Sequence, residues 1–570
     1  MNKIYKKKSG DGRTTQNGLS IAFLLYMGIL YPLIMHDKYF DITLTKYKAF
    51  EVALCIYAVL MALAVLLDIF DGRRPFDMFK SKNGYIAADL FMAGFLVSNL
   101  AAFALSEDKL DAYTGEAGRR CGLQFVILIV ILYICMGRGL KLEKFVLPAF
   151  LAAGSFTGII AVFQYIGVDF LGIREGLSSS IKDIYISTFG NIDIFASFIC
   201  VVIPVALGLG LDERPIYDGD VVWKLNWTKL LSWFALFIGA AAVVVTNANL
   251  AYAGVGAAVV VVFLVAAYGG KLKEFLEMMF AMSLGSLTVS LMIRTSQESV
   301  EKLDGISEFA RHTGSVVVVC AVLGLVNLII QIVIHAGNFG KQKSDGHAAD
   351  NQGKKTEKLS GKLSGKLSGK PALIAASSLV AAGVIGAIVY ASLKAGHVFK
   401  IDDSWGNYRG YVWKRLAESY RDFPLINKIF GYGNESVKTI MIDGYYDEMM
   451  NTVGVVYDNA HNEYLQYLVT TGIVGAVAYI GLIVSAFVSM IMCAFGGDDR
   501  DLCECTAIAL GIAGYATQAL FNLNQSLTTP YIFLLAAMAA GICRKKRMQK
   551  QGDVETKECR NRKMQMRNSK

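Results

Sequence analysis

Blocks of about 20 apolar residues recur along almost the whole chain and are separated by short polar stretches. A helix of roughly that length crosses the hydrocarbon core of a bilayer. In lipid, a helix satisfies its own backbone hydrogen bonds, whereas an open sheet edge or an irregular loop does not. Hydrophobic residues make up 54% of the chain and charged residues 18%, which is more apolar than one soluble core requires. The pattern therefore predicts an all-α, polytopic integral membrane protein.

The number and direction of the spans follow from the blocks and from the basic residues between them. We predict about fourteen transmembrane helices. Roughly two thirds of the 56 lysines and arginines lie in alternate connecting segments, which places those segments in the cytoplasm. Both basic termini are then cytoplasmic, in a multi-pass protein of the cell membrane. The formal net charge of +9 reflects these basic segments, which would contact anionic membrane lipids. It does not indicate nucleic-acid binding. The blocks are residues 19–35, 50–69, 84–105, 122–137, 145–167, 189–211, 230–246, 250–268, 275–293, 313–336, 372–393, 462–495, 503–522 and 529–543.

A basic, polar stretch at residues 338–371 ends in repeated KLSG tetrapeptides and predicts a flexible cytoplasmic linker. It separates an N-terminal bundle of about ten spans (1–337) from a C-terminal bundle of about four (372–543), which a basic tail (544–570) follows. The linker either docks on anionic phospholipids or is only a solvated tether. The C-terminal bundle carries one large loop at 395–460, which the charge rule places outside the cell.

The outer loop contains a predicted amphipathic helix from Ser404 to Phe423, with Trp405, Arg409 and Trp413 at helical spacing. Its aromatic side chains either anchor the helix in the membrane interface or stack on sugar rings. Arg409 and Arg415 are six residues apart, so on a helix their side chains point about 120° away from each other. The spacing therefore does not place both guanidinium groups on one ligand.

His461 is the histidine that polar residues flank at a predicted membrane boundary, in the run Asp458-Asn459-Ala460-His461-Asn462-Glu463. Such a residue is either an interface side chain or a general base, since the ordinary pKa of histidine is about 6.5.

The glycine turn around Tyr432 has no pore helix before it, which argues against a channel. Charged residues near mid-span are scarce, which argues against an ion-coupled transporter.

Three short motifs follow one another along the chain. The first is residues 188–193, T-F-G-N-I-D. The second consists of Arg409 and Trp413, followed by Pro424-Leu425 and by Gly431-x-Gly433. The third consists of His461-Asn462-x-Tyr464-Leu465, followed by Gly472-Ile473-x-Gly475. Together, across about residues 185–485, they resemble the O-antigen ligase and polysaccharide polymerase superfamily of bacterial membrane glycosyltransferases. That family has T-F-G-N-x-N, R-x-x-x-W with P-L and G-x-G, and H-N-x-x-L with G-I-x-G.

The resemblance implies a metal-independent enzyme that transfers a glycan from a polyprenyl-diphosphate-linked oligosaccharide donor to a hydroxyl of a glycan or lipid-linked acceptor. His461 would accept the proton of that hydroxyl, and Arg409 would bind the departing diphosphate. No cofactor and no metal are expected, because the sequence lacks a nucleotide-binding motif and an acidic cluster with ligand spacing, and the donor bond supplies the energy. The implied substrate-binding residues are Arg415, Trp413, Asn462, Tyr464, Asn191 and Asp193.

One departure from the family lies in the hairpin at residues 246–250, where the family usually has a Ser-Arg pair and this chain has Leu250. Arg294, Arg311 and Arg415 are the candidates to supply the missing positive charge. The main rival function is a lipid-linked oligosaccharide flippase or another multi-span exporter, which would have a charged cavity between two similar helical halves. An inactive relative is a further alternative.

Overall fold

The computed structural model describes residues 11–72, 86–213, 226–295, 303, 305–345 and 402–568. A π-helical turn (Tyr26–Leu30) and a short helix (Tyr31–Leu33) continue the first helix, and a 3₁₀ helix (Gly305–Arg311) precedes the twelfth. The two strands pair antiparallel. In chain order the elements are α1 (Asp11–Leu25), α2 (Ile42–Phe70), α3 (Ala87–Leu105), α4 (Lys109–Thr114), α5 (Leu123–Met136), α6 (Val146–Tyr165), α7 (Ser179–Lys182), β1 (Tyr185–Ile186), β2 (Gly190–Asn191), α8 (Ile192–Leu209), α9 (Trp227–Thr246), α10 (Asn249–Gly269), α11 (Leu272–Thr295), α12 (Thr313–Asp345), α13 (Trp405–Asp422), α14 (Leu425–Phe430), α15 (Val437–Thr452), α16 (Glu463–Phe495), α17 (Asp499–Gln518) and α18 (Thr529–Asn568).

The predicted all-α, polytopic membrane fold is confirmed. Within the described ranges, ten helices are long and apolar enough to cross a membrane. Every predicted block in those ranges overlaps a helix, whereas the block at 372–393 lies outside the described residues. The blocks at 122–137, 503–522 and 529–543 fall on α5, α17 and α18, which are not among the ten. The total of about fourteen spans therefore stays a prediction.

Two helices extend beyond the spans predicted for them. Helix α12 continues to Asp345, so residues 338–345 of the predicted linker are helical. The remainder of the linker, 346–371, lies outside the described residues. Helix α18 continues to Asn568, through the predicted basic tail. The domain boundaries inferred from the sequence stay predictions.

Helix α8 lies at the centre of the bundle, because nearly all of its side chains from Phe195 to Leu209 are buried. It packs on α9, α10 and α17, and α17 packs in turn on α16. The C-terminal end of α17 connects the first turns of two helices: Asn522 donates its amide to the carbonyl of Asp193, and the Glu463 N–H donates to the carbonyl of Ala519. These bonds place the starts of α8 and α16 side by side.

Two glycine motifs of the sequence contact each other. The backbone N–H groups of Tyr432 and Gly433 donate to the carbonyls of Val469 and Thr470, at 3.0 and 3.1 Å. Helix α16 can offer these carbonyls because it is kinked at Gly472, where φ is +69°. The turn before α15 therefore pairs with the kink in α16, and this contact fixes the distance between the outer loop and the span that follows His461.

Replacing Gly472 by alanine is expected to lower the free energy of unfolding by at least about 1–3 kcal/mol, since a non-glycine residue at this φ is strained. The added Cβ would also lie 2.3 Å from the carbonyl oxygen of Ile429. Thermal unfolding of the purified protein in detergent measures the change. Gly444→Ala is the matched control, because a Cβ at that position meets nothing within 4 Å. Equal melting temperatures for the two variants would contradict the assignment of the kink.

Candidate active site at the start of the C-terminal span

Arg409 is the first residue of α13 that follows a regular helical path. Gly406, Asn407 and Tyr408 all have positive φ, so the first turn of α13 is left-handed. The helix predicted from Ser404 to Phe423 is present as α13, but this left-handed turn separates Trp405 from the regular helix that begins at Arg409. Glycine at position 406 permits this conformation because it has no Cβ. The reversal directs the start of α13 back towards the membrane bundle.

The guanidinium of Arg409 forms an ion pair with Asp193 at the start of α8, with Nη2 3.1 Å from Oδ2. Asn191 caps α8, and its side chain accepts the N–H of Asp193 at 2.8 Å. Among the described residues, no second ion-pair or hydrogen-bond partner engages the guanidinium. Both side chains remain partly exposed, at 20% and 26%. Asp193 therefore orients Arg409 and leaves further N–H groups free to bind an anion.

His461 lies at the end of the outer loop, in a left-handed conformation with φ of +48°. Its backbone N–H donates to Oδ1 of Asn459 at 2.8 Å, and the amide of Asn459 donates to Asn524. The ring of Tyr457 packs edge-on against the imidazole, with centroids 6.0 Å apart. The Nδ1 atom is buried and, within the described ranges, has no hydrogen-bond partner. The loop therefore fixes the backbone of His461, while this ring nitrogen takes no part in holding the loop.

The imidazole of His461 is neutral at physiological pH. Burial lowers the pKa of His461 to about 4, and the positive charge of Arg409 is the next largest cause. Asp458 opposes this effect, while Arg119 adds to it. A neutral imidazole can accept a proton, as a general base must. The electrostatic coupling to Arg409 also indicates that the two predicted catalytic residues share one region of the structure.

Arg119, which belongs to none of the three sequence motifs, fixes the loop that carries His461. Its Nη1 atom lies 2.8 Å from Oδ2 of Asp458, and its Nη2 atom lies 2.9 Å from Oε2 of Glu435. Its side chain is only 6% exposed. Burial raises the pKa of Glu435, although the charge of Arg119 partly offsets the rise. A signal was present, since the adjacent arginines 119 and 120 depart from the usual scarcity of basic residues in outer segments.

Asn462 and Tyr464 set the geometry of the first turn of α16. The side chain of Asn462 caps the helix by accepting the N–H groups of Tyr464 and Leu465, at 3.0 and 3.1 Å. The hydroxyl of Tyr464 donates to the carbonyl of Ala516 in α17 at 2.6 Å. Both side chains, expected to contact substrate, are engaged in positioning the helix next to His461.

Trp413 connects α13 to the residue that precedes His461. Its indole N–H donates to the carbonyl of Ala460 at 2.8 Å. Its ring lies 5.2 Å from that of Trp405 and stacks on Phe521 at 6.4 Å, measured between centroids. An aromatic surface therefore lies beside the His461 loop, as the sugar-stacking interpretation of these residues requires.

Arg415 belongs to a different part of the loop. Its guanidinium pairs with Glu418 at 2.9 Å and with Glu448, and it lies over the rings of Tyr411 and Tyr445. The structure therefore does not bring Arg415 together with Arg409, in agreement with their six-residue separation on one helix. Carboxylates of the loop, rather than an open site, surround this predicted substrate-binding residue.

The hairpin that departs from the family pattern lies between α9 and α10. Leu250 is buried at 4% exposure, in the first turn of α10. Arg294 and Arg311, two of the residues considered as substitutes for the missing arginine, line a common cavity of about 430 Å³ together with His312. The third candidate, Arg415, is held in the ion pairs of the outer loop.

Comparison with known families gives a match over residues 234–480, to the family model described as O-antigen ligase. The matched region begins in α9 and ends in α16, so it includes Arg409, Trp413 and His461. Asp193 and Arg119 lie before it in the sequence. No curated protein matches the chain.

Proposed function

We propose that this chain is a membrane enzyme of polysaccharide assembly that joins glycans at the outer face of the cytoplasmic membrane, because residues 234–480 match the O-antigen ligase family. The donor is a glycan linked to polyprenyl diphosphate, and the acceptor is a hydroxyl of a second glycan or lipid-linked glycan. One observation carries the proposal: the neutral imidazole of His461 has an unpaired Nδ1 atom, and Arg409 is electrostatically coupled to it.

His461 is the general base in this reaction. It takes the proton of the acceptor hydroxyl while the hydroxyl oxygen bonds to the anomeric carbon of the donor sugar. The bond between that carbon and the diphosphate oxygen breaks, and polyprenyl diphosphate leaves with the electron pair. A fixed backbone and a buried ring nitrogen suit this role, because a base must be held in place before the hydroxyl arrives.

Arg409 stabilises the leaving group. The charge of the diphosphate increases as its bond to the sugar breaks, so a fixed guanidinium lowers the energy of the transition state. Asp193 orients Arg409 through a single contact, and the other N–H groups of the fork can bind two phosphate oxygens. Trp413 and its aromatic neighbours provide a face on which a sugar ring can stack.

Arg409→Lys tests this assignment against the flippase alternative. An ammonium keeps the charge but cannot bind two oxygens in a fork, so we expect the transfer rate to fall by at least about tenfold. The rate is measured in proteoliposomes that contain a polyprenyl-diphosphate oligosaccharide. Lys414→Arg is the control, since its side chain is 57% exposed in the same helix. Movement of the intact donor across the bilayer, without cleavage, would instead support a flippase.

The pH dependence of the reaction tests the protonation state of His461. The kcat/KM value is expected to be constant from about pH 8 to about pH 5 and to fall at lower pH, since it reports the base of the free enzyme. A bound diphosphate favours the imidazolium, so the acid limb of kcat should lie at higher pH than that of kcat/KM. Rates are measured after a return to pH 7 as well, to exclude acid denaturation. An acid limb of kcat/KM near pH 6.5, the ordinary value for histidine, would contradict the assignment.

A further inference from the structure

A second cavity, of about 550 Å³, lies between the end of α3 and the turn before α15. Its volume is within the range of about 300–1,000 Å³ that is usual for small-molecule sites. Five carboxylic acids and two lysines line it. The cavity is therefore acidic.

Two polar groups in this cavity lack the partners that buried groups normally have. Asn434 is 5% exposed and Ser436 is 7% exposed. The amide nitrogen of Asn434 donates to Asn99 at 3.0 Å, but within the described ranges its Oδ1 atom and the Ser436 hydroxyl have no hydrogen-bond partner. An unpaired buried polar group costs free energy, and a ligand with hydroxyl or amine groups would remove that cost.

The carboxylates of the cavity divide into engaged and free groups. Asp108 caps α4, Glu116 accepts the N–H of Gly118, and Glu435 is paired with Arg119. Glu107 and Asp111 have no ion-pair or side-chain hydrogen-bond partner in the part of the chain that the structure describes. These two carboxylates are available to accept hydrogen bonds from a ligand, and they would repel an anionic one.

The cavity is joined to the candidate active site by a single ion-pair bridge. Glu435 lines the cavity, Arg119 pairs with it, and the same guanidinium pairs with Asp458, three residues before His461. The acidic surface and the proposed catalytic histidine therefore belong to one connected structure. Because carboxylic acids outnumber lysines in the lining, the cavity disfavours the donor diphosphate, so the acceptor is the substrate that fits it better.

We propose that the cavity lined by Glu107, Asp111, Asn434 and Ser436 binds the acceptor glycan, as an uncharged or amine-bearing saccharide. The identity of the ligand as the acceptor rests on the function proposed above, whereas the preference for uncharged or amine-bearing sugars rests on the cavity alone. Carboxylates accept hydrogen bonds from sugar hydroxyls and from protonated amines, and Tyr432 in the same wall offers an aromatic ring.

The test uses the full chain in lipid nanodiscs and three trisaccharide probes: a glucosamine trimer, a neutral glucose trimer and a galacturonate trimer. Binding is measured by saturation-transfer NMR with competition. We expect the glucosamine and glucose probes to bind and the galacturonate probe to bind at least about tenfold more weakly, because of like-charge repulsion. Equal binding of all three probes, or no binding of any, would overturn the proposal.

The double variant Glu107→Gln/Asp111→Asn is expected to bind the glucosamine probe about tenfold more weakly or worse, because two charge-assisted hydrogen bonds are lost. Asp447→Asn, an exposed position in α15 outside the cavity, is the matched control and should bind as the wild type does. Unchanged affinity in the double variant would overturn the site. His461→Ala should retain probe binding, so normal polymer formation by that variant would refute the proposed catalysis without affecting the cavity.

Discussion

Replacing His461 by alanine is expected to reduce the rate of glycan transfer by about 10²–10⁴-fold, the usual contribution of a general base. The side chain contributes little to the fold, because its Nδ1 atom has no hydrogen-bond partner among the described residues and its positioning bond comes from the backbone N–H. We therefore expect normal membrane levels and a normal melting temperature for the variant. The transfer rate is measured with purified protein, and the amount of polymer formed is measured in cells.

His36→Ala is the matched control for this experiment. Its imidazole lies in another loop on the same predicted outer side, is 80% exposed and pairs with Asp41. We expect its transfer rate to stay within a factor of about two of the wild-type rate, as for an exposed ion pair of small energetic value. A wild-type rate in His461→Ala would remove the basis for the proposed mechanism.

Replacing Arg119 by methionine is expected to have the largest effect on stability, a loss of about 3–5 kcal/mol, because it removes the partner of a buried charge. Glu435 would keep its carboxylate in a site that is almost closed to water, and Asp458 would lose its ion pair. The loop before His461 would then be less well fixed, so activity should fall as well. Unfolding in denaturant, followed by the fluorescence of the purified protein, measures the loss.

Two further variants separate charge from packing. Arg421→Met removes an exposed arginine that pairs with the adjacent Asp422, and the stability of this variant should be close to that of the wild type. In the double variant Arg119→Met/Glu435→Gln no uncompensated charge remains at position 435, so part of the lost stability should return. A double variant as unstable as Arg119→Met alone would indicate that packing, not charge, explains the effect.

Local hydrophobic pattern predicted most of the helices, because each span satisfies its own backbone bonds and needs no partner to be identified. Long-range pairing could not be predicted in this way. Arg119 lies 316 residues before Glu435 and 339 before Asp458. A local sequence pattern therefore cannot reveal the ion pairs between them. The left-handed turn at Gly406 was missed for a different reason, since the aromatic and basic residues around it also fit a regular helix.

The candidate site was predicted in part. The motif order pointed to Arg409, His461 and Asp193, and the structure pairs Arg409 with Asp193 and couples it electrostatically to His461. Their proposed roles stay predictions. Arg415 was assigned to the site by its charge, yet Glu418 and Glu448 surround it. Residue type alone does not distinguish an arginine that binds substrate from one that holds a loop together.

The stoichiometry of donor cleavage by the wild-type protein tests the proposed glycan transfer most directly. Proteoliposomes receive a polyprenyl-diphosphate oligosaccharide with a radiolabelled lipid, together with an acceptor glycan, and the released polyprenyl diphosphate is counted against the glycosidic bonds formed. We expect one polyprenyl diphosphate to be released for each new glycosidic bond. Glycan growth without release of the lipid diphosphate, or donor that crosses the bilayer uncleaved, would contradict it.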